Sequence, residues 1–109
     1  MRFRILAGAA TLAISLPASA DGPGWVHSRA VVSVVNVSNG GVNVRLNPDL
    51  TGCQSQGGYG GSFASVYPDH PSLNRIKADL LAALVTGQPI RLYLSDNTCK
   101  VLETVIGPY

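Results

Sequence analysis

The chain of 109 residues carries eight Lys and Arg against six Asp and Glu, and only 13% of its residues are charged. This length is enough for one domain. Arg2 and Arg4 lie at the very start, so positions 21–109 carry six residues of each sign. A neutral domain without a run of basic residues argues against nucleic acid or an anionic membrane as partner, because both favour a basic stripe.

The first 20 residues have the three parts of a secretory signal peptide: basic residues, an apolar run from Ile5 to Leu16, and the small tripeptide Ala18-Ser19-Ala20. Cleavage after Ala20 would leave 21–109 as a single domain. A membrane anchor is the alternative, but the apolar run is shorter than the roughly 20 residues that span a bilayer. We therefore expect a secreted or periplasmic protein that is not inserted in the membrane.

The two cysteines, Cys53 and Cys99, are expected to form a disulfide, because an exported chain meets an oxidising compartment. By the chain-entropy model such a bridge stabilises a domain of this size by on the order of 4 kcal/mol. Two free thiols or a metal pair are the alternatives. Two cysteines so far apart, with no His close in sequence, do not resemble zinc-ligand spacing, so no metal site is expected.

The first half of the domain is predicted to be β-structure. Residues 26–37 are rich in valine, which favours a strand. Residues 38–41 tolerate the positive φ of a tight turn, and residues 42–47 alternate apolar and polar side chains, so the two segments form a hairpin. The glycine-rich stretch that follows predicts a short extended piece near Cys53 and a flexible loop over 54–61, before a third strand at 62–67.

A helix is predicted next. Asp69 or His70 lies at its start, Pro71 fits its first turn, and Gly87 and Pro89 end it. Its apolar stripe recurs at spacings of three and four and is expected to face the core. The stripe consists of Leu73, Ile76, Leu80 and Leu84, widened by Leu81 and Val85.

Two further strands, at 90–95 and 99–106, complete the chain. The order predicts a mainly β protein with one helix: a five-stranded, OB-like antiparallel barrel with the helix between strands 3 and 4. A split sheet with one packed helix is the alternative.

No catalytic residue is predicted, and no cofactor. His27 and His70 lack the partner spacing of a ligand set, and Asp69 before Pro71 has a capping role at a helix start. With both cysteines in a disulfide, no thiol remains for catalysis. A small hydrolase is the remaining enzymatic alternative, and turnover that is abolished by His70→Ala would support it.

Ligand binding is predicted at four residues. Arg91 and Tyr93 share the outward face of one strand, and Trp25 and Tyr59 are aromatic side chains with polar groups at the ends of elements. Packing at the edge of the core is the alternative for each ring. Because the domain is neutral, a sugar is favoured over a nucleic acid on this face.

The segment from Leu80 to Tyr93 reads LLAALVTGQPIRLY and is followed by Cys99. It resembles the helix-to-strand segment of B subunits of bacterial AB5 toxins of the subtilase-cytotoxin and pertussis-like group. It is also similar to small secreted bacterial proteins that share this segment. The resemblance implies an OB fold, a ring of five chains with helices lining the centre, host glycans bound on the outer faces, and an enzymatic A subunit as partner. No motif places that family's sugar-contacting residues on this chain.

We therefore expect a secreted, non-enzymatic module that recognises a glycan and forms a ring. If it does, Arg75, Lys77 and Asp79 face the centre of the ring; otherwise they form a solvated helix face. The alternative is a monomeric envelope or periplasmic accessory protein that uses the same fold to bind another protein.

Overall fold

The computed structural model describes residues 22–108, which form six strands, one α-helix and a short 3₁₀ turn. The predicted signal peptide and the ends of the predicted domain, Asp21 and Tyr109, lie outside the described residues. The elements are β1 (Gly24–Trp25), β2 (Ala30–Asn36), β3 (Val42–Asn47), the 3₁₀ turn (Gln56–Gly58), β4 (Phe63–Val66), α1 (Leu73–Thr86), β5 (Ile90–Leu94) and β6 (Val101–Ile106).

The strands form two antiparallel three-stranded sheets, with orders β1-β5-β6 and β2-β3-β4. Only two isolated bridges connect the sheets within residues 22–108: Arg29 pairs with Ile90, and Ser65 pairs with Lys100. The mainly β fold with one helix is therefore confirmed. The prediction of a closed five-stranded barrel is not: the sheets are open, and β1 is a sixth strand.

The first hairpin forms where the sequence predicted it, but its first strand is shorter. The predicted strand over 26–37 is reduced to β2, with a bulge at Val32 between the pairs Val31–Leu46 and Ser33–Arg45. The extra residue of a bulge falls out of the alternation between faces. Val32 is accordingly 48% exposed, whereas Val31 is buried.

The helix faces the core with Ile76, Leu80 and Ala83, and Leu73 packs against them at the edge of the core. Three residues of the predicted stripe are not buried: Leu84 is 38% exposed, Leu81 41% and Val85 83%. At 3.6 residues per turn, Val85 lies about 180° around the helix from Ile76, whereas Ala83 lies about 20° from it. The small side chain of Ala83 thus holds the position that the prediction gave to Leu84.

The helix begins later than predicted. It starts at Leu73, and Ser72 at its N-cap makes no side-chain capping bond. His70 takes that role, because its Nδ1 accepts the backbone N–H of Ser72 at 2.9 Å while its Nε2 lies 2.8 Å from the carbonyl oxygen of Leu102. The predicted end is confirmed: Gly87 has φ 74° and donates its N–H to the carbonyl of Ala83.

A continuous apolar core lies between the helix and the inner faces of both sheets. It receives alternate residues of β3 and β5 and the buried stripe of α1. Its largest fully buried members are Leu46, Leu50, Leu80, Ile90, Leu92, Leu94, Val44, Val66 and Val101.

The predicted disulfide is present. Cys53 and Cys99 have Cα atoms 5.2 Å apart, and no cysteine of the described chain is free. The bridge fastens the glycine-rich loop to the turn before β6. The backbone N–H of Gln54 also donates to the carbonyl of Thr98, at 3.1 Å.

The glycine-rich loop, which its composition predicted to be flexible, is bonded to the sheet through Gln56. Gln56, in the 3₁₀ turn, is 7% exposed and lies over Asn43 of β3 and Ser65 of β4, both fully buried. Its N–H donates to Ser65 Oγ at 2.9 Å, and its carbonyl accepts from Asn43 Nδ2 at 2.9 Å. Ser65 Oγ in turn donates to Asn43 Oδ1 at 2.7 Å. Hydrogen bonding of every group is what allows polar side chains to be buried here.

The side chain of Gln56 extends the same network to the end of the hairpin. Its Nε2 donates to the carbonyls of Val66 and Val42, at 2.9 and 3.3 Å, and its Oε1 accepts from Asn39 Nδ2 at 2.9 Å. A Cβ at Gly41 would collide with the Gln56 side-chain amide. A side chain at position 41 would therefore have to displace the Gln56 amide from its hydrogen bonds.

Candidate functional site

The outer face of the β1-β5-β6 sheet carries an exposed pair of aromatic rings. The register places Trp25 of β1 directly opposite Tyr93 of β5. Their ring centroids are 5.2 Å apart and the planes are inclined by 52°. Trp25 remains 40% exposed, so this ring contact does not remove it from solvent.

Arg91 completes this surface from the same strand. It lies two residues before Tyr93, so both side chains leave β5 on one face, while the alternating Ile90, Leu92 and Leu94 are buried on the other. The guanidinium carbon of Arg91 lies 5.1 Å from the centroid of the Trp25 ring. This is a cation–π contact, and it holds the two side chains in a fixed relation.

A carboxylate lies beside the aromatic pair. Glu103 of β6 is directly opposite Tyr93 in the register and is exposed. Directly opposite residues of an antiparallel pair share a face of the sheet. We call Trp25, Arg91, Tyr93 and Glu103 the aromatic surface; it places two rings, a guanidinium and a carboxylate on one face of the sheet.

Sequence reasoning named three of these four residues and also Tyr59, which the structure places elsewhere. Tyr59 follows the 3₁₀ turn, is 44% exposed, and packs edge-on against Phe63 of β4 with ring centroids 5.5 Å apart. Phe63 belongs to the other sheet. The four predicted ligand-binding residues are thus divided between the aromatic surface and this separate pair.

Glu103 was missed because an isolated acid in a strand carries no signal of its own. Its relevance depends on the pairing of β5 with β6, and a one-residue shift in register would turn its side chain to the opposite face. The alternation of residues 101–106 could have placed it on one face of β6. It could not have placed it beside Tyr93.

The two histidines of residues 22–108 lie outside the aromatic surface. His70 engages both ring nitrogens with backbone groups, and His27 is exposed beside β1. Within residues 22–108 there is no group of three or more His, Cys, Asp or Glu side chains that could hold a metal ion.

The two carboxyl groups with a lowered pKa, those of Asp49 and Asp96, do not belong to the aromatic surface either. A hydrogen bond from Arg45 lowers the pKa of Asp49, and hydrogen bonds from Thr98 lower the pKa of Asp96. The first pair is an exposed ion pair on the other sheet, and the second closes the turn before β6. Both shifts follow from local structure.

Comparison with known proteins leaves the chain without an assigned family: no family model, curated protein or solved structure matches it. None of the helices in residues 22–108 is long and apolar enough to cross a membrane.

Proposed function

We propose that the protein is an exported, non-enzymatic binding module that recognises a glycan on the aromatic surface. The observation that carries the proposal is the exposed ring of Trp25, set against Tyr93 and under the guanidinium of Arg91. Large exposed rings with polar groups close by are typical of recognition surfaces.

The chemistry of a sugar fits these groups. The apolar C–H face of a pyranose can stack on the Trp25 ring, while its hydroxyls accept from Arg91 and donate to Glu103. Because the rings are already held together by contacts within the sheet, little side-chain freedom is lost on binding. A saccharide therefore gains both apolar contact and directional hydrogen bonds on one surface.

Glycan-array binding of the purified protein, followed by titration with Trp fluorescence, tests this proposal. Trp25→Ala should abolish retention on the glycan that the unmodified protein binds, whereas Tyr59→Ala, the matched loss of an exposed ring on the other sheet, should leave it unchanged. Equal losses in both variants, or an empty array for the unmodified protein, would overturn the assignment.

We also propose that the fold is related to the OB barrel and that the chains assemble as a ring, as in the toxin B subunits that residues 80–93 resemble. Two features support this: the helix follows the third of the five longer strands, and the isolated bridges link Arg29, just before β2, to β5 and link β4 to Lys100, just before β6, where a barrel would close. Light scattering tests the assembly. A ring requires a mass several times that of one chain, and a monomer at all concentrations contradicts it.

The same proposal includes an enzymatic A subunit as partner. It also includes secretion or a periplasmic location. The disulfide supports a location outside the cytoplasm, since such bonds persist in oxidising compartments. An adjacent reading frame for an exported enzyme that co-purifies with this chain would support the A subunit. Co-expression without association would count against it.

The second candidate is a monomeric accessory protein of the envelope that binds another protein. The exposed apolar residues of α1, Leu81, Leu84 and Val85, favour it, because a contiguous apolar patch on a helix is suited to a protein contact. Under this candidate, Val85→Asp abolishes capture of a specific envelope protein and Trp25→Ala does not. The reverse pattern would return the preference to the glycan.

A further inference from the structure

A cavity that is separate from the aromatic surface opens beside the start of α1. It has a volume of about 390 Å³ and is lined by Asp69, His70, Pro71, Lys100 and Leu102. This volume lies within the range of small-molecule sites, roughly 300–1,000 Å³. The aromatic surface is centred on β1 and β5, whereas this cavity lies between the segment before α1 and the start of β6.

One wall of the cavity is fixed. His70 bonds the N–H of Ser72 through Nδ1 and the carbonyl of Leu102 through Nε2, so its ring ties the start of the helix to β6. With both nitrogens engaged, His70 presents the ring to a ligand and no free polar atom. Pro71 and Leu102, which is 38% exposed, supply apolar wall on either side.

Two opposite charges line the same cavity without forming an ion pair. The ammonium of Lys100 lies 5.4 Å from the centroid of the Tyr67 ring. The carboxylate of Asp69 is exposed. Within residues 22–108 neither side chain has a salt-bridge partner, although the charge of Lys100 helps, after the hydrogen bonds from Thr98, to lower the pKa of Asp96. The cavity thus offers one cation and one anion, separated by apolar wall.

We propose that this cavity binds a small zwitterion, such as an amino acid, whose ammonium and carboxylate are joined by an apolar frame. The ligand carboxylate lies against Lys100, the ligand ammonium lies against Asp69, and the frame lies against Pro71 and Leu102. Each contact replaces water at a charge that has no salt-bridge partner within residues 22–108. Because both charges are partly exposed, the affinity is modest, with a dissociation constant in the millimolar range.

Chemical-shift titration of the isotope-labelled protein tests the proposal with four probes. L-leucine and ε-aminocaproate are zwitterions with short and long charge separation, and leucine methyl ester and isocaproate each lack one of the charges. We expect the amide signals of Lys100 and Leu102 to move with one or both zwitterions, and to respond at least about fivefold more weakly to both single-charge analogues.

Substitutions at the two charges give the independent check. Lys100→Met and Asp69→Asn should each weaken zwitterion binding by about fivefold or more, while Lys77→Met and Asp49→Asn, which make the same two changes of net charge away from the cavity, leave it unchanged. Glycan binding at Trp25 should survive all four substitutions. No response to either zwitterion at millimolar concentration, or equal binding of the single-charge analogues, would overturn the proposal.

Discussion

The outer faces of the two sheets differ: a loop of the chain covers one, and the other remains accessible to solvent. On the β2-β3-β4 sheet, the chain covers Asn43 and Ser65 with its own loop, and Gln56 satisfies their hydrogen bonds. On the β1-β5-β6 sheet, Trp25 and Arg91 contact each other and remain accessible to solvent. Polar groups that the chain bonds internally contribute to stability, whereas side chains that remain partly exposed at the surface can contact a ligand.

Loss of the disulfide should have the largest effect on the covered face. We expect the double variant Cys53→Ala, Cys99→Ala to lose about 4 kcal/mol of unfolding free energy, because the bridge restricts the unfolded chain and holds the loop in place. Urea unfolding measures this loss. A change below about 1 kcal/mol would mean that the hydrogen bonds of Gln56 hold the loop without the bridge.

Gln56→Ala should have the next largest effect, about 2 kcal/mol, because it leaves the carbonyls of Val42 and Val66 without their side-chain donor. Gln54→Ala is the matched control. The side chain of Gln54 is exposed on the same loop, so its removal should cost less than about 0.5 kcal/mol. Equal costs at the two positions would show that the cover over Asn43 is not maintained in solution.

Trp25→Ala should cost less than Gln56→Ala. It removes a partly exposed ring and its contact with Tyr93, worth about 1 kcal/mol. Thermal and urea unfolding measure the cost next to glycan retention. A variant that loses glycan binding with this small loss of stability separates recognition from folding. A loss larger than that of Gln56→Ala would make Trp25 a structural residue.

The smallest effect on stability is expected at the exposed ion pair of Arg45 and Asp49. The Nε atom of Arg45 lies 2.8 Å from Oδ1 of Asp49. The hydrogen bond from Arg45 lowers the pKa of Asp49 in the folded state. Its stabilisation is thus fully present above the unfolded carboxyl pKa of about 3.9 and is lost as the pH falls through the lower folded value. NMR titration of the carboxyl signal checks the shift, and Asp49→Asn should make acid unfolding slightly less steep. A normal pKa for Asp49 would contradict the ion pair.

The sequence correctly predicted the features that depend on residues close together in the chain. The alternation in residues 90–94 placed Arg91 and Tyr93 on one face because the strand period is fixed at two. Gly87 ended the helix because a left-handed residue there requires no tertiary partner. The predicted apolar stripe of the helix was confirmed at Ile76 and Leu80, because both residues lie on the helix face that packs against the core.

Long-range pairing decided what the sequence missed. Trp25 meets Tyr93 only through the register of β1 on β5, and a two-residue strand has no periodic signal. Gln56 is buried because Asn43 and Ser65 happen to face it from two strands, and a glycine-rich composition gives no sign of such partners. The same dependence on sheet pairing made a closed barrel a plausible extrapolation from element order and an incorrect one.

Gly41 limits how this chain can be engineered and how its sequence can diverge. Since any side chain there would occupy the place of the Gln56 amide, the hairpin turn and the glycine-rich loop cannot be exchanged separately between related chains. A transplanted loop needs the matching hairpin, and a substitution at position 41 is tolerable only with a shorter residue at position 56. We expect the two positions to vary together, although fourteen residues of chain lie between them.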